Sequence, residues 1–162
     1  TPEAIARRLA ALFQEAQTLL PSLVAPAEAQ SELERRITEL TALNRLWQAL
    51  FAARGAGEIA LAMTRAAFQA SEVERVFVLD PTLEPLASRT RQGGELPYSP
   101  LYIDTPLCEA AITEQTPHWR EATLALPIGT CGVLYVTGAN RPDESPLAAI
   151  AEAGALALER LD

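Results

Sequence analysis

The chain has 162 residues, 49% of them hydrophobic and 21% charged, enough for one packed domain with a helical extension and too few for two full cores. Its formal charge of −8 sets 21 acidic residues against 13 basic ones, all arginine, so no nucleic acid or anionic membrane is expected as a partner. No apolar run of about 18 residues and no secretory leader pattern occurs, which makes a cytoplasmic protein the expectation.

Residues 2–20 carry Ile5, Leu9, Leu12, Ala16 and Leu19 at alternating spacings of four and three, one apolar stripe on a helix. Pro21 is expected to end it, and the two prolines of 21–28 mark a linker. The domain reading is therefore residues 1–30 as helix and linker, and 31–162 as a single domain with its own leading and closing helices. Ser31 and Glu34 have the spacing of a capping box for the second helix. That helix presents Leu33, Ile37, Leu40, Leu43, Trp47, Leu50 and Phe51 along a seam that must be buried against the sheet or a second copy. Gly55 and Gly57 break it, and helical spacing resumes over 58–69.

The run VERVFVLD at 73–80 has the β-branched and aromatic density of a central strand. Asp80 to Glu84 reads as a turn, with Pro81 presetting its first corner, and 86–90 as the antiparallel return. A Gly- and Pro-rich loop follows at 91–100. Pro106 suits the first turn of a short helix to Glu114. Strands are expected at 118–120, 122–128 and 131–137, the last two joined by a turn at Gly129-Thr130. A closing helix over 146–161 aligns Leu147, Ile150, Gly154, Ala157 and Leu161.

This order of elements, with VFVLDPTLEPLASRT (76–90), CEAAITEQTPHW (108–119) and ALPIGTCGVLYV (125–136), resembles the GAF domain family from about residue 40 to 161. The helix from Ser31 to Arg54 resembles the signalling helix that often leads into such domains. The resemblance implies an α+β fold with a six-stranded antiparallel sheet, the terminal helices on one face, and a short helix with loops on the other. It implies a regulatory module that binds a small molecule, dimerises, or both, passing a signal to an effector protein or domain. Glu121 alone separates HWR from ATLALPI, where the family usually inserts a pocket-closing loop, which argues against an enclosed large cofactor. The Asp-Ile-Pro segment of bilin binders is missing, and a chain without lysine lacks the set of the cyclic-nucleotide binders. No cofactor is therefore named.

The candidate ligand residues are Arg89, Arg91, Tyr98, Tyr102, Cys108 and Trp119, a set able to stack on and hydrogen-bond a small anionic or planar metabolite. The alternative is that the tyrosines cap the sheet edge and the arginines are solvated. Cys108 at a helix start could hold a reactive thiolate or be a buried small hydrophobe. By resemblance, a Cys108 and Cys131 couple would be needed for a reductase of the free methionine sulfoxide type. Two isolated cysteines and one histidine, His118, suggest neither a disulfide framework nor a metal site, and no Ser, His and acid arrangement supports catalysis. The expected homodimer interface comprises Leu40, Leu43, Trp47 and Leu50 of the leading helix with Leu147, Ile150 and Leu161 of the closing one. A ligand-free dimerisation scaffold is the competing function.

Overall fold

The apolar run at 73–79 forms strand β1 beside the centre of a five-stranded antiparallel sheet, in a computed structural model that describes residues 1–24, 27–94 and 102–161, with the side chains of 15–24 left aside. In chain order the elements are α1 (Pro2–Val24), α2 (Ala27–Ala52), α3 (Ala56–Ala70), β1 (Val73–Leu79), β2 (Pro85–Thr90), α4 (Thr105–Glu114), β3 (His118–Arg120), β4 (Thr123–Pro127), β5 (Val133–Gly138) and α5 (Glu144–Glu159). The chain divides into two units, Thr1–Ile37 and Thr38–Asp162. That division falls inside α2, whereas the sequence reading placed it after residue 30. Among the described residues no helix is long and apolar enough to cross a membrane.

Strand order is β2-β1-β5-β4-β3, every pairing antiparallel. β1 and β5 are covered on both sides, so Val76 to Leu79 and Val133 to Val136 are buried without alternation. The edge strand β3 has only three residues and ends on the exposed Arg120, features that discourage pairing with another chain. Pairing carries Val76, Val136 and Leu124 to one face and Phe77, Tyr135 and Ala125 to the other.

The first face packs against α3 and α5 in one apolar cluster that also takes Ala42, Leu46 and Leu50 of α2. Small residues let these helices approach closely: a Cβ built on Gly154 of α5 would sit 2.3 Å from the Met63 sulfur of α3. The second face packs against α4 in a separate cluster of Phe77, Leu79, Val133 and Tyr135 with Leu107, Cys108 and Ala111.

The tight connections have identifiable causes. Asp80 Oδ1 accepts hydrogen bonds from Thr82 N–H (2.8 Å), Thr82 Oγ1 (2.7 Å) and Glu84 N–H (3.0 Å), which fixes the turn between β1 and β2. Gly132 has φ of +149°, and a Cβ there would lie 1.9 Å from the Leu79 carbonyl oxygen, so the approach to β5 needs glycine. Gly55 caps α3 in extended geometry, and Glu58 accepts from Arg54 N–H at 2.8 Å.

Several expectations are corrected. Pro21 lies within α1. A proline within a helix forfeits one hydrogen bond at a cost of about 3 kcal/mol, but its fixed φ is itself helical, so it does not dictate an exit. The expected linker at 21–28 is helical on both sides of residues 25 and 26, which lie outside the described residues. Ser31 is internal to α2 and not its cap, because Ala27 to Gln30, strong helix formers, carry the helix back. The sheet among the described residues has five strands where the resemblance implied six.

Candidate functional site

The α4 face of the sheet combines an apolar floor with a polar node at one end. Phe77 and Tyr135 meet edge to face, ring centroids 5.8 Å apart at 67°, a geometry favoured by the aromatic quadrupole. Asp104, immediately before α4, organises the node. Its Oδ1 accepts from Leu107 N–H at 3.2 Å as the helix cap, and Pro106 occupies the first turn, where its missing N–H costs nothing. Its own N–H donates to the Tyr135 hydroxyl at 3.0 Å, and Arg120 Nη1 donates to its Oδ2 at 2.5 Å. One residue thus fastens the start of α4 to the central strand β5 and the edge strand β3.

The electrostatics follow from this packing. Burial raises the Tyr135 phenol above its usual range, partly offset by the hydrogen bond from Asp104, so the group stays a neutral donor and acceptor. The Arg120 guanidinium is largely exposed while its carboxylate partner is mostly covered. Arg120 therefore offers water-facing N–H donors beside the node, the chemistry that grips carboxylate or phosphate. At the other end of α4, His118 Nε2 lies 2.6 Å from Glu114 Oε2 and 3.3 Å from Thr116 Oγ1.

The expected ligand residues do not converge. Arg89 pairs with Val76 across the sheet and so belongs to the α3 side, where it donates to the Ser88 carbonyl at 2.9 Å. Arg91 also lies there: Nε donates to Val73 O (2.8 Å), Nη2 to Phe68 O (3.2 Å) and Ser71 O (2.5 Å), and its guanidinium stacks over the Phe68 ring. It is a brace for the end of α3. Trp119 pairs with Leu124 and packs with the α3 and α5 cluster, its indole N–H donating to Glu144 at 2.8 Å beneath the Arg141 guanidinium. Only Cys108 and Tyr102 lie at or beside the α4 layer, Tyr102 exposed next to buried Ile103. Tyr98 lies outside the described residues.

The reactive-thiolate reading of Cys108 is overturned. Burial, reinforced by Asp104 and Glu109, pushes its thiol up to about 12, so it is a protonated packing group at neutral pH. Cys131 packs against the other cluster, so the two cysteines serve opposite faces of the sheet and form no couple. Among the described residues no group of three or more His, Cys, Asp or Glu side chains could hold a metal ion.

No protein-family model matches the chain, and no curated protein matches it. The site is therefore read from its geometry alone. Asp104, Arg120 and Tyr135 were not among the sequence candidates. Asp-Thr-Pro ahead of a helix is a readable capping signal, but nothing in the sequence brings Arg120 or Tyr135 to that cap.

Of the expected dimer contacts, Leu50, Leu147 and Ile150 are buried in the chain's own core and Leu43 packs against it. They do not face outward, because Ala42, Leu46 and Leu50, and not the whole predicted seam, form the inner face of α2. Leu40, Trp47 and Leu161 are exposed.

Proposed function

We propose that this chain is a non-catalytic regulatory module of GAF type that acts in the cytoplasm and receives a small anion-bearing metabolite on its α4 face. What carries the reading is the fastening of α4: among the described residues one helix covers that face, and Asp104 ties its first turn to two strands through Tyr135 and Arg120. A carboxylate or phosphate that engages Arg120 competes with Asp104, loosens the cap and shifts α4. A ligand of that kind biases a two-state element by its differential contacts with the two positions. The sheet would pass this change to α3 and α5 on the opposite face, and from there to an effector protein or domain.

A thermal-shift screen of small carboxylates, phosphates and nucleotides tests the reading. A binder at about a hundred times its dissociation constant stabilises the fold by about 2.7 kcal/mol. The shift is expected to vanish in Arg120→Gln and to persist in Arg91→Gln. A shift that ignores Arg120 removes the proposed site, and a screen with no shift favours the second reading, a ligand-free association scaffold. The exposed apolar stripe of α2 supports that alternative.

A further inference from the structure

Among the described strands β3 is the shortest, and all three of its side chains are engaged by helices or their flanking loops. Alternation along the strand divides them between the two faces of the sheet. His118 and Arg120 pair with Ala125 and Thr123 of β4 and so lie on the α4 side. There Arg120 Nη1 donates to Asp104 Oδ2 (2.5 Å) at the start of α4, and His118 Nε2 meets Glu114 Oε2 (2.6 Å) in its last turn. Trp119, between them, faces the other way and packs with the α3 and α5 cluster. Its indole N–H donates to Glu144 Oε1 (2.8 Å) in the first turn of α5. The Arg141 guanidinium, from the loop before that helix, lies 4.1 Å from the centroid of the same ring. All of these residues belong to the unit Thr38–Asp162.

On the reading of α4 as the receiving helix, we propose that β3 is a coupler, an edge strand that carries a displacement of α4 to the start of α5 through its three consecutive side chains. Loosening of α4 then loosens the first turns of α5. An anchor lost on α5 weakens the hold on α4 in return, since coupling between two sites is reciprocal.

Two features favour β3 over the centre of the sheet as the route. Tyr135 also touches the α4 cap, but it stands on β5, which is paired with β1 on one side and β4 on the other and is buried on both faces. Shifting β5 disturbs two ladders and a close-packed core at once. β3 has one ladder partner and three paired residues, so its side-chain anchors set its position as much as its backbone does. The second feature is the start of α5. Asp143, its N-cap residue, makes no side-chain capping bond, whereas Asp104 caps α4. A helix start without such a cap leaves more of its holding to contacts like that between Glu144 and Trp119.

A double-mutant cycle on the full chain tests this, read by hydrogen exchange under conditions where rates report equilibrium opening. Arg120→Gln removes an anchor on α4, and Glu144→Ala removes one on α5, from contacts on opposite faces of the sheet. Each single variant is expected to speed exchange of the amides of both 107–111 in α4 and 148–151 in α5, with the β1 and β5 amides little changed. The double variant should fall short of the product of the single effects by roughly 2- to 10-fold, because the second cut meets a strand already released. Trp119→Phe keeps an aromatic ring in the core but has no N–H to donate, and is expected to give the same result in place of Glu144→Ala. Effects confined to each variant's own helix, with factors that multiply, would overturn the coupling and leave the receiving site standing. Equal acceleration of the β1 and β5 amides would also overturn it, by placing the link in the whole fold. A coupled cycle beside a ligand screen without an Arg120-dependent shift would keep the coupler and strike the anion site instead.

Discussion

On the α3 and α5 side the sheet meets two helices through Ile59, Met63, Leu147, Ile150 and Leu158 set among small residues, whereas on the α4 side it meets, among the described residues, one helix through Leu107, Cys108 and Ala111, capped by Asp104. The first contact is broad and mainly apolar, with polar bonds from Arg91 and Trp119 at its margins, and any change in helix position there opens cavities or forces clashes. The second has a smaller apolar core and a few polar bonds at its margin, each worth only about 0.5–1.5 kcal/mol. Local opening is drawn from regions of the second kind. The regulatory role proposed above would use this contrast, with a yielding α4 face and a firmer face that holds α3 and α5.

The contrast can be broken first at the rigid layer. Ile150→Ala, at a fully buried α5 position, should cost about 2–5 kcal/mol and lower the denaturation midpoint of the whole Thr38–Asp162 unit in one transition. Two separated transitions would show that the layers do not fold together. Gly154→Leu should cost about 1–3 kcal/mol by overpacking against Met63, again seen globally by denaturant titration.

Smaller and more local effects are expected on the α4 side. Asp104→Ala removes the helix cap and should cost about 0.5–2 kcal/mol. Its signature in hydrogen exchange is faster opening of the amides from Leu107 to Ala111, with those of β1 and β5 nearly unchanged. Uniform acceleration throughout the sheet would contradict a locally yielding face.

Titration separates the regions further. With the Cys108 thiol raised from 9.0 to about 12, the unfolded chain loses this proton first, so its stabilising contribution is complete below pH 9 and disappears as pH rises towards 12. Cys108→Ala should flatten the alkaline loss of stability, and alkylation of native Cys108 at pH 8 should be far slower than in the unfolded chain. At Asp80, burial opposes ionisation, but the Thr82 hydroxyl and the backbone N–H groups of Glu84 and Thr82 outweigh it and hold the carboxyl below its usual value. That stabilisation is present above pH 3.8 and is lost as pH falls through the lower folded value. Asp80→Asn should therefore reduce stability at neutral pH, by the smallest amount in this series, and weaken its acid dependence.

Much of the fold was legible because its signals are local. The apolar run at 73–79, the turn at Asp80, the strand at 118–120 and the Gly turn before β5 each depend on residues close in sequence, and each lies where its pattern placed it within a residue or two. The helix boundaries near Pro21 and Ser31 differ from the pattern for two reasons: a serine's capping preference is small beside the propensity of the alanine-, glutamate- and glutamine-rich residues around Ser31, and a proline, though it costs about 3 kcal/mol, has a helical φ and does not by itself end a helix. The site was much less legible. Arg89, Arg91 and Trp119 are near the expected site in sequence but point to the other face, since one step along a strand reverses a side chain.

The sequence by itself determined the elements, their order and the presence of an apolar stripe along α2, because periodicity and turn chemistry act over a few residues. Only the tertiary structure decided which line of α2 enters the core and which stays open, which arginine stands beside the α4 cap, and that Cys108 and Cys131 serve opposite faces. Those outcomes depend on strand pairing and on which surface each helix covers, and pairings between residues far apart in the chain leave no local trace.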